Sequence, residues 1–158
     1  MSVISPLTAL RARGGARLTA GLTDEQIEML ATGHPDLVAA ISAAADEYAR
    51  IKDEATALLD LDEQAQIAAM QTGFVNFYAD DAVVPYIALA ARGPWVVTLK
   101  GAVVYDAGGY GMLGFGHTPA DILEAAGKPQ VMANIMTPSL SQGRFIAALP
   151  KEIGRAHV

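Results

Sequence analysis

A glycine-rich stretch is the first part of this chain whose residue types and spacing suggest chemistry. Gly109 to Gly114 reads Gly-Tyr-Gly-Met-Leu-Gly and follows the β-type run AVVYD at 102–106. A G-x-G-x-x-G sequence between a parallel strand and a helix binds the pyrophosphate of a dinucleotide, because the N-terminus of the helix directs free N–H groups at the phosphates. The stretch therefore raises nucleotide binding as a first hypothesis.

The residues around these glycines do not supply the rest of a nucleotide site. The run before them is predicted as the second arm of a hairpin, and Phe-Gly-His-Thr-Pro follows Gly114, so that the next helix begins too late. Asp121 lies inside that helix, whereas a ribose ligand is expected at the end of a second strand. Nucleotide binding is thus the weaker hypothesis.

The composition excludes several other classes of function. The chain of 158 residues has a net charge of −6, which disfavours nucleic-acid binding, and it contains no cysteine for disulfide or thiolate chemistry. Its three histidines do not make a metal-ligand set, and no apolar run reaches the roughly 18 residues of a membrane helix. These features predict a cytoplasmic protein that binds neither metal, nucleic acid nor membrane.

Three arginines precede the first acidic residue, Asp24, and they are Arg11, Arg13 and Arg17. This pattern predicts a flexible basic arm over 1–22, with an organelle transit peptide as the weaker alternative.

Helical patterns dominate residues 23–92. Thr23 and Gln26 form a predicted capping box, Gly33 closes that helix, and Pro35 opens a longer one. The longer helix has an apolar seam at alternating spacings of four and three: Leu37, Ile41, Ala44, Tyr48, Ile51, Ala55 and Leu58. We expect the seam to pack on the next helix, which Asp62 caps, and an intermolecular coiled coil is the sharper alternative.

The pattern changes near Gly93. A short helix is predicted from Pro85 to Ala91, and then a hairpin of 95–99 and 102–105 turns at Lys100-Gly101. Thr118 and Pro119 start a further helix that runs to Gly127, and Pro138 or Ser139 starts the last one. The predicted class is α+β, with a helical region at 23–92 and a segment at 93–152 that combines the hairpin, the glycine-rich loop and helices.

The last residues, EIGRAHV, match the peptide encoded in one frame by a common sequencing adapter. We therefore expect 153–158 to be a non-native tail.

From Gly93 onward the sequence resembles the N-terminal region of class III aminotransferases, which are pyridoxal-phosphate enzymes of fold type I. The shared features are the hairpin with Gly101 at its turn, Asp106 five residues later, the glycine-rich loop, Gly116-His117, and Pro119 at the next helix. The family has Gly-His-x-His-Pro where this chain has Gly-His-Thr-Pro.

The resemblance implies an enzyme that transfers an amino group from an amino acid or amine to a keto acid or aldehyde. Such an enzyme is a homodimer whose lysine forms a Schiff base with pyridoxal 5′-phosphate. In the family that lysine comes later in the sequence than this segment. No catalytic or cofactor-binding residue is therefore expected in this chain, and alone it is expected to be inactive.

The resemblance places a substrate-side contribution in the glycine-rich loop. Tyr110 is the candidate pocket residue, with packing on the hairpin as an equal alternative, and Gly109 and Gly111 flank it. Asp106, Gly116 and His117 are expected to serve structure or an interface.

A different class of function is a non-enzymatic interaction module. It would use the seam from Leu37 to Leu58 to bind a partner helix.

Overall fold

The computed structural model describes residues 2–73, 85–107, 114–129 and 137–153. A short 3-10 turn, Ser5–Leu7, precedes the first helix. The helices are α1 (Thr8–Arg11), α2 (Asp24–Ala31), α3 (Pro35–Ile51), α4 (Thr56–Leu59), α5 (Glu63–Gln71), α6 (Ala120–Gly127) and α7 (Leu140–Ile153). The strands are β1 (Ala88–Arg92), β2 (Trp95–Thr98) and β3 (Val103–Tyr105). These elements form two compact units, 1–119 and 120–158.

The first unit is built on an antiparallel sheet with the strand order β1-β2-β3. Trp95 on the central strand pairs with Arg92 on one side and with Tyr105 on the other. Every residue of β2 is buried. Helices together with a small antiparallel sheet confirm the predicted α+β class.

Helix α3 packs on this sheet, mainly on β1. Leu37, Ile41 and Ala44 are buried in one core with Trp95 and Val97. The seam was expected to pack on the next helix; its partner is the sheet. Because these three side chains are covered within the chain, they leave no surface for a coiled-coil partner.

The seam also does not form a single helix to Leu58, since α3 ends at Ile51. Arg13 lies at this end, where its guanidinium donates to the Tyr48 hydroxyl at 3.0 Å and to the Lys52 carbonyl at 3.3 Å. The last carbonyls of a helix lack partners within it and favour a cation. The N-terminal segment thus helps to terminate α3.

The N-terminal segment is not the flexible arm that its arginines predict. Leu7 and Leu10 are both buried in the core. Arg11 donates from Nε to the Gly101 carbonyl at 2.9 Å and pairs with Asp24 at 2.6 Å. Burial of the two leucines and the polar contacts of Arg11 together hold the segment in place.

Several local predictions are confirmed. Thr23 and Gln26 form the capping box, and Pro35 is the first residue of α3. The β2–β3 hairpin is present, although its loop has three residues, since the N–H of Thr98 donates to the Ala102 carbonyl. Gly101 adopts φ +75, a left-handed conformation that such a loop requires at its last position.

The predicted helix from Pro85 to Ala91 is wrong, because this stretch contributes most of β1. Alanine and leucine favour a helix locally, but pairing with β2 satisfies the backbone and places the strand under α3. The domain boundary predicted between 92 and 93 therefore cuts through the sheet.

A buried polar cluster ties the N-terminal segment to the α4–α5 corner. Glu63 accepts hydrogen bonds from the backbone of Leu18 at 2.6 Å and of Thr19 at 2.8 Å, and from the Thr19 hydroxyl at 2.7 Å. Asp62 precedes α5 as predicted, but its carboxylate accepts from the N–H of Ala16 and does not cap the helix.

The second unit contains α6 and α7. Helix α6 starts directly after Pro119, and Ser139 accepts from the N–H of Gln142 at the start of α7, near the predicted positions. Leu140, Phe145 and Ile146 of α7 are exposed. The tail at 154–158 lies outside the described residues, and within the described ranges no helix has the length and apolarity needed to cross a membrane.

The packing of α3 predicts a contrast between neighbouring residues. Leu37 is 0% exposed and Val38 is 40% exposed. Leu37→Ala should lower the free energy of unfolding by about 2–5 kcal/mol, because it leaves a cavity under the sheet. Val38→Ala is the control and should change the free energy of unfolding by at most about 0.5–1 kcal/mol. Urea unfolding measures both variants. Equal losses in the two variants would contradict this packing.

Glu63 predicts a stability change in acid. Burial acts to raise the pKa of Glu63, but hydrogen bonds from the Thr19 side chain and from the backbones of Thr19 and Leu18 outweigh it and hold the pKa below 4.5. Such a carboxylate stabilises the fold above its unfolded pKa, and this contribution is lost as the pH falls through the folded value.

Glu63→Gln should therefore cost about 1.5–3 kcal/mol at neutral pH, and the difference from the unchanged chain should shrink below pH 4.5. Urea unfolding across pH 3–7 measures this, with exposed Glu54→Gln as the control. A difference that stays constant across this pH range would refute the role given to the carboxylate.

Candidate functional site

The two ends of the glycine-rich loop meet at the turn between β1 and β2. Tyr110, Gly109 and Gly111 lie outside the described residues. Asp106 and His117 lie on either side of the loop and are described, and the structure brings their side chains into contact. The candidate site is therefore centred on this pair.

His117 Nε2 lies 2.9 Å from Asp106 Oδ2. The histidine side chain is 31% exposed and the aspartate side chain 19% exposed. The pair is thus half-buried, with the ring reachable from solvent and the carboxylate mostly covered.

Backbone hydrogen bonds hold both residues on the same turn. His117 exchanges two of them with Gly93, at 2.7 and 3.0 Å, and the N–H of Asp106 donates to the Pro94 carbonyl at 2.7 Å. Thr118, which we expect to cap α6, instead donates its hydroxyl to the Ala91 carbonyl at 3.0 Å. Four backbone or hydroxyl contacts therefore fix the position of the imidazole before any ligand arrives.

Gly116 allows this close approach. Its φ is +74, and a Cβ at this position would lie 2.8 Å from the backbone of Gly93. Any other residue would both strain the backbone and push His117 away from the turn. The structural role expected for Gly116 has this physical basis.

An aromatic cluster begins at the residue after Pro94 of the same turn, and the sequence did not predict it. Trp95, the only tryptophan of the chain, contacts the ring of His34 at 5.5 Å and that of Tyr105 at 5.0 Å, both edge to face. Trp95 is buried, whereas Tyr105 is exposed. A single tryptophan at the start of a predicted strand was the signal available, but one neighbour, His34, directly precedes α3 and the other, Tyr105, lies on β3.

The geometry determines what the imidazole can offer a ligand. A carboxylate only accepts hydrogen bonds, so the neutral ring carries its proton on Nε2 and leaves Nδ1 as an acceptor. A carboxylate in this position also fixes the orientation of the ring. His117 can therefore receive a hydrogen bond or a proton from an N–H or O–H group of a ligand.

The resemblance predicts that no lysine of this chain forms a Schiff base with the cofactor. Lys52, Lys128 and Lys151 are exposed. Lys100 is 2% exposed, and its amine donates to the carbonyls of Gly14 at 2.5 Å and Leu59 at 3.1 Å. Burial lowers the pKa of Lys100, partly offset by the nearby carboxylates of Asp62, Asp60 and Glu63. Its nitrogen is nevertheless engaged inside the protein.

Within the described ranges, no three His, Asp or Glu side chains lie close enough together to hold a metal ion. No protein-family model matches the chain, and no curated protein or solved structure is detectably similar to it.

The close approach of Gly116 to Gly93 predicts a position-specific effect. Gly116→Ala should lower the free energy of unfolding by about 1–3 kcal/mol, because the new Cβ meets backbone atoms in a left-handed conformation. Gly114→Ala is the matched control, since a Cβ there meets nothing within 4 Å. Thermal unfolding measures both, and equal stability of the two variants would contradict the packing of the turn.

Proposed function

We propose that this chain is the N-terminal, substrate-side segment of a class III, fold type I aminotransferase. The complete enzyme would transfer an amino group from an amino acid or amine to a keto acid or aldehyde. It would act as a cytoplasmic homodimer with pyridoxal 5′-phosphate, which serves as an electron sink.

The contact between Asp106 and His117 carries this proposal. The resemblance rests on the order of a hairpin glycine, an aspartate, a glycine-rich loop and a Gly-His pair. In the structure, Asp106 and His117 join the two ends of that loop, and Gly116 is the residue that lets them meet. The residues that carry the resemblance thus form one structural unit, and this supports the resemblance.

The described residues do not fit the cofactor itself. Pyridoxal phosphate needs an accessible amine for its Schiff base and a set of donors for its phosphate. The amine of Lys100 is buried on two carbonyls, and Lys128 pairs with Glu124 on the surface of α6. Lys52 and Lys151 are exposed, and the resemblance puts the Schiff-base lysine later in the sequence than any of these. We therefore place the Schiff-base lysine and the phosphate site in sequence beyond this chain.

The contribution of this chain would be to bind and orient the substrate. Asp106 holds the ring of His117, whose Nδ1 can accept a hydrogen bond from an ammonium or hydroxyl group. Tyr110 would supply an aromatic wall in the loop between them. Both roles concern the entry of the amino donor, and neither forms a covalent bond to it.

The proposal predicts the behaviour of the complete gene product. Expressed from a longer reading frame that includes residues 1–152, it should show the visible absorbance of a lysine aldimine with pyridoxal phosphate and should transfer amino groups to a keto acid. Borohydride trapping followed by mass spectrometry should locate the cofactor on a lysine other than Lys100. If the product shows neither aldimine absorbance nor amino-group transfer, the proposal is wrong.

Tyr110 provides a sharper test in the same protein. Tyr110→Ala should lower kcat/KM for the amino donor roughly tenfold, which corresponds to about 1.4 kcal/mol of lost binding in the transition state. Tyr110→Phe keeps the ring and should stay close to the unchanged enzyme. An unchanged kcat/KM in Tyr110→Ala would remove this residue from the substrate pocket.

A further inference from the structure

Thr118, the residue after His117, has a backbone conformation that its side chain disfavours. Its φ is +54°, and among the described residues it is the only one other than glycine with a positive φ. A branched Cβ crowds the backbone in this left-handed region, so threonine is a clear outlier there. Such a conformation persists where the surrounding structure holds it in place.

Contacts with β1 and with the turn after it hold Thr118. Its hydroxyl donates to the Ala91 carbonyl at 3.0 Å, and the preceding residue, His117, exchanges two backbone hydrogen bonds with Gly93. In an extended strand a side chain stands out of the sheet plane, whereas the carbonyls of a neighbouring strand lie within it. The positive φ therefore turns the hydroxyl towards Ala91 while His117 stays bonded to Gly93.

The residue type at this position shows which contact matters. Glycine adopts a positive φ without strain, as Gly116 does at +74° on the other side of His117. Threonine at 118 accepts the strain and adds a hydroxyl that glycine lacks. The hydroxyl bond to the Ala91 carbonyl is thus what distinguishes Thr118 from an unstrained residue.

Loss of this bond would free the backbone to relax. Pro119 follows Thr118, and a residue before proline avoids the right-handed helical region in favour of an extended one. An extended φ would remove the attachment to β1 that lies beside the His117–Gly93 bridge. The imidazole is 31% exposed, so its orientation depends on the backbone that carries it as well as on Asp106.

We propose that Thr118 is a positioning residue for His117, because its hydroxyl bond to the Ala91 carbonyl holds a strained backbone that keeps the imidazole on Asp106. Asp106 fixes the ring at 2.9 Å, and Thr118 fixes the chain behind it. The identity of the ligand that meets this ring, an amino donor, rests on the proposed function. The orientation of the ring is a property of this chain.

Three-bond couplings to Cγ of His117, measured by NMR on the 158-residue chain, show whether the side chain is held in one χ1 rotamer. The unchanged chain should give the couplings of a single rotamer. Thr118→Val keeps the branched Cβ but lacks the hydroxyl, and it should give averaged couplings. Thr118→Ser keeps the hydroxyl and should retain the single rotamer. Thr118→Ala also lacks the hydroxyl and replaces the valine variant if that variant does not fold.

Thr32→Val, at the exposed residue after α2, is the matched control and should leave the couplings unchanged. A single rotamer in a folded variant without the hydroxyl would overturn the proposal, and so would averaged couplings in Thr118→Ser. Because the couplings are measured on this chain alone, they do not depend on whether the complete gene product is an aminotransferase.

The same samples test the strained backbone. A positive φ brings the amide and Hα protons of one residue close together, so Thr118 should show a strong nuclear Overhauser effect between them. The effect should stay strong in Thr118→Ser and weaken in the variants without the hydroxyl, where the backbone relaxes. A weak effect in the unchanged chain, or a strong one without the hydroxyl, would show that this bond does not hold the conformation and that the proposal is wrong.

Discussion

Burial of one face of α3 against the sheet is the constraint on which the first unit depends. The hydrophobic effect favours removing Leu37, Ile41 and Ala44 from water, and the sheet supplies Trp95 and Val97 to cover them. The sheet has only three short strands, and a small sheet gains stability by packing against a helix. The helix and the sheet therefore need each other, and the N-terminal leucines close the remaining edge of the core.

This packing determines where the candidate site is formed. With β1 and β2 held under α3, the turn at Gly93 has a defined position, and its backbone offers a donor and an acceptor to His117. Asp106 reaches the same turn because β3 pairs with β2. The imidazole is thus oriented by the scaffold, which is what a binding or proton-accepting group requires.

Local signals in the sequence predicted those elements whose hydrogen bonds are formed by neighbouring residues. Thr23 and Gln26 lie in one turn of chain, and Gly101 lies in a loop whose partners are a few residues away. The prediction failed at 85–91, because Ala and Leu carry a helical preference that pairing with β2 overrides. It failed also at Asp62, where Ala16 competes for the carboxylate from 46 residues away.

The sequence by itself determined the α+β class, the starts of α2 and α3 and the hairpin, and it pointed to Asp106, Gly116 and His117 as candidate residues. Only the tertiary structure decided that Asp106 and His117 touch, that the seam of α3 faces a sheet, and that Lys100 is buried on two carbonyls. The physical reason is the distance along the chain over which each kind of interaction acts. Capping and turn preferences act over a few residues, whereas these contacts depend on segments brought together by burial of apolar surface from across the chain.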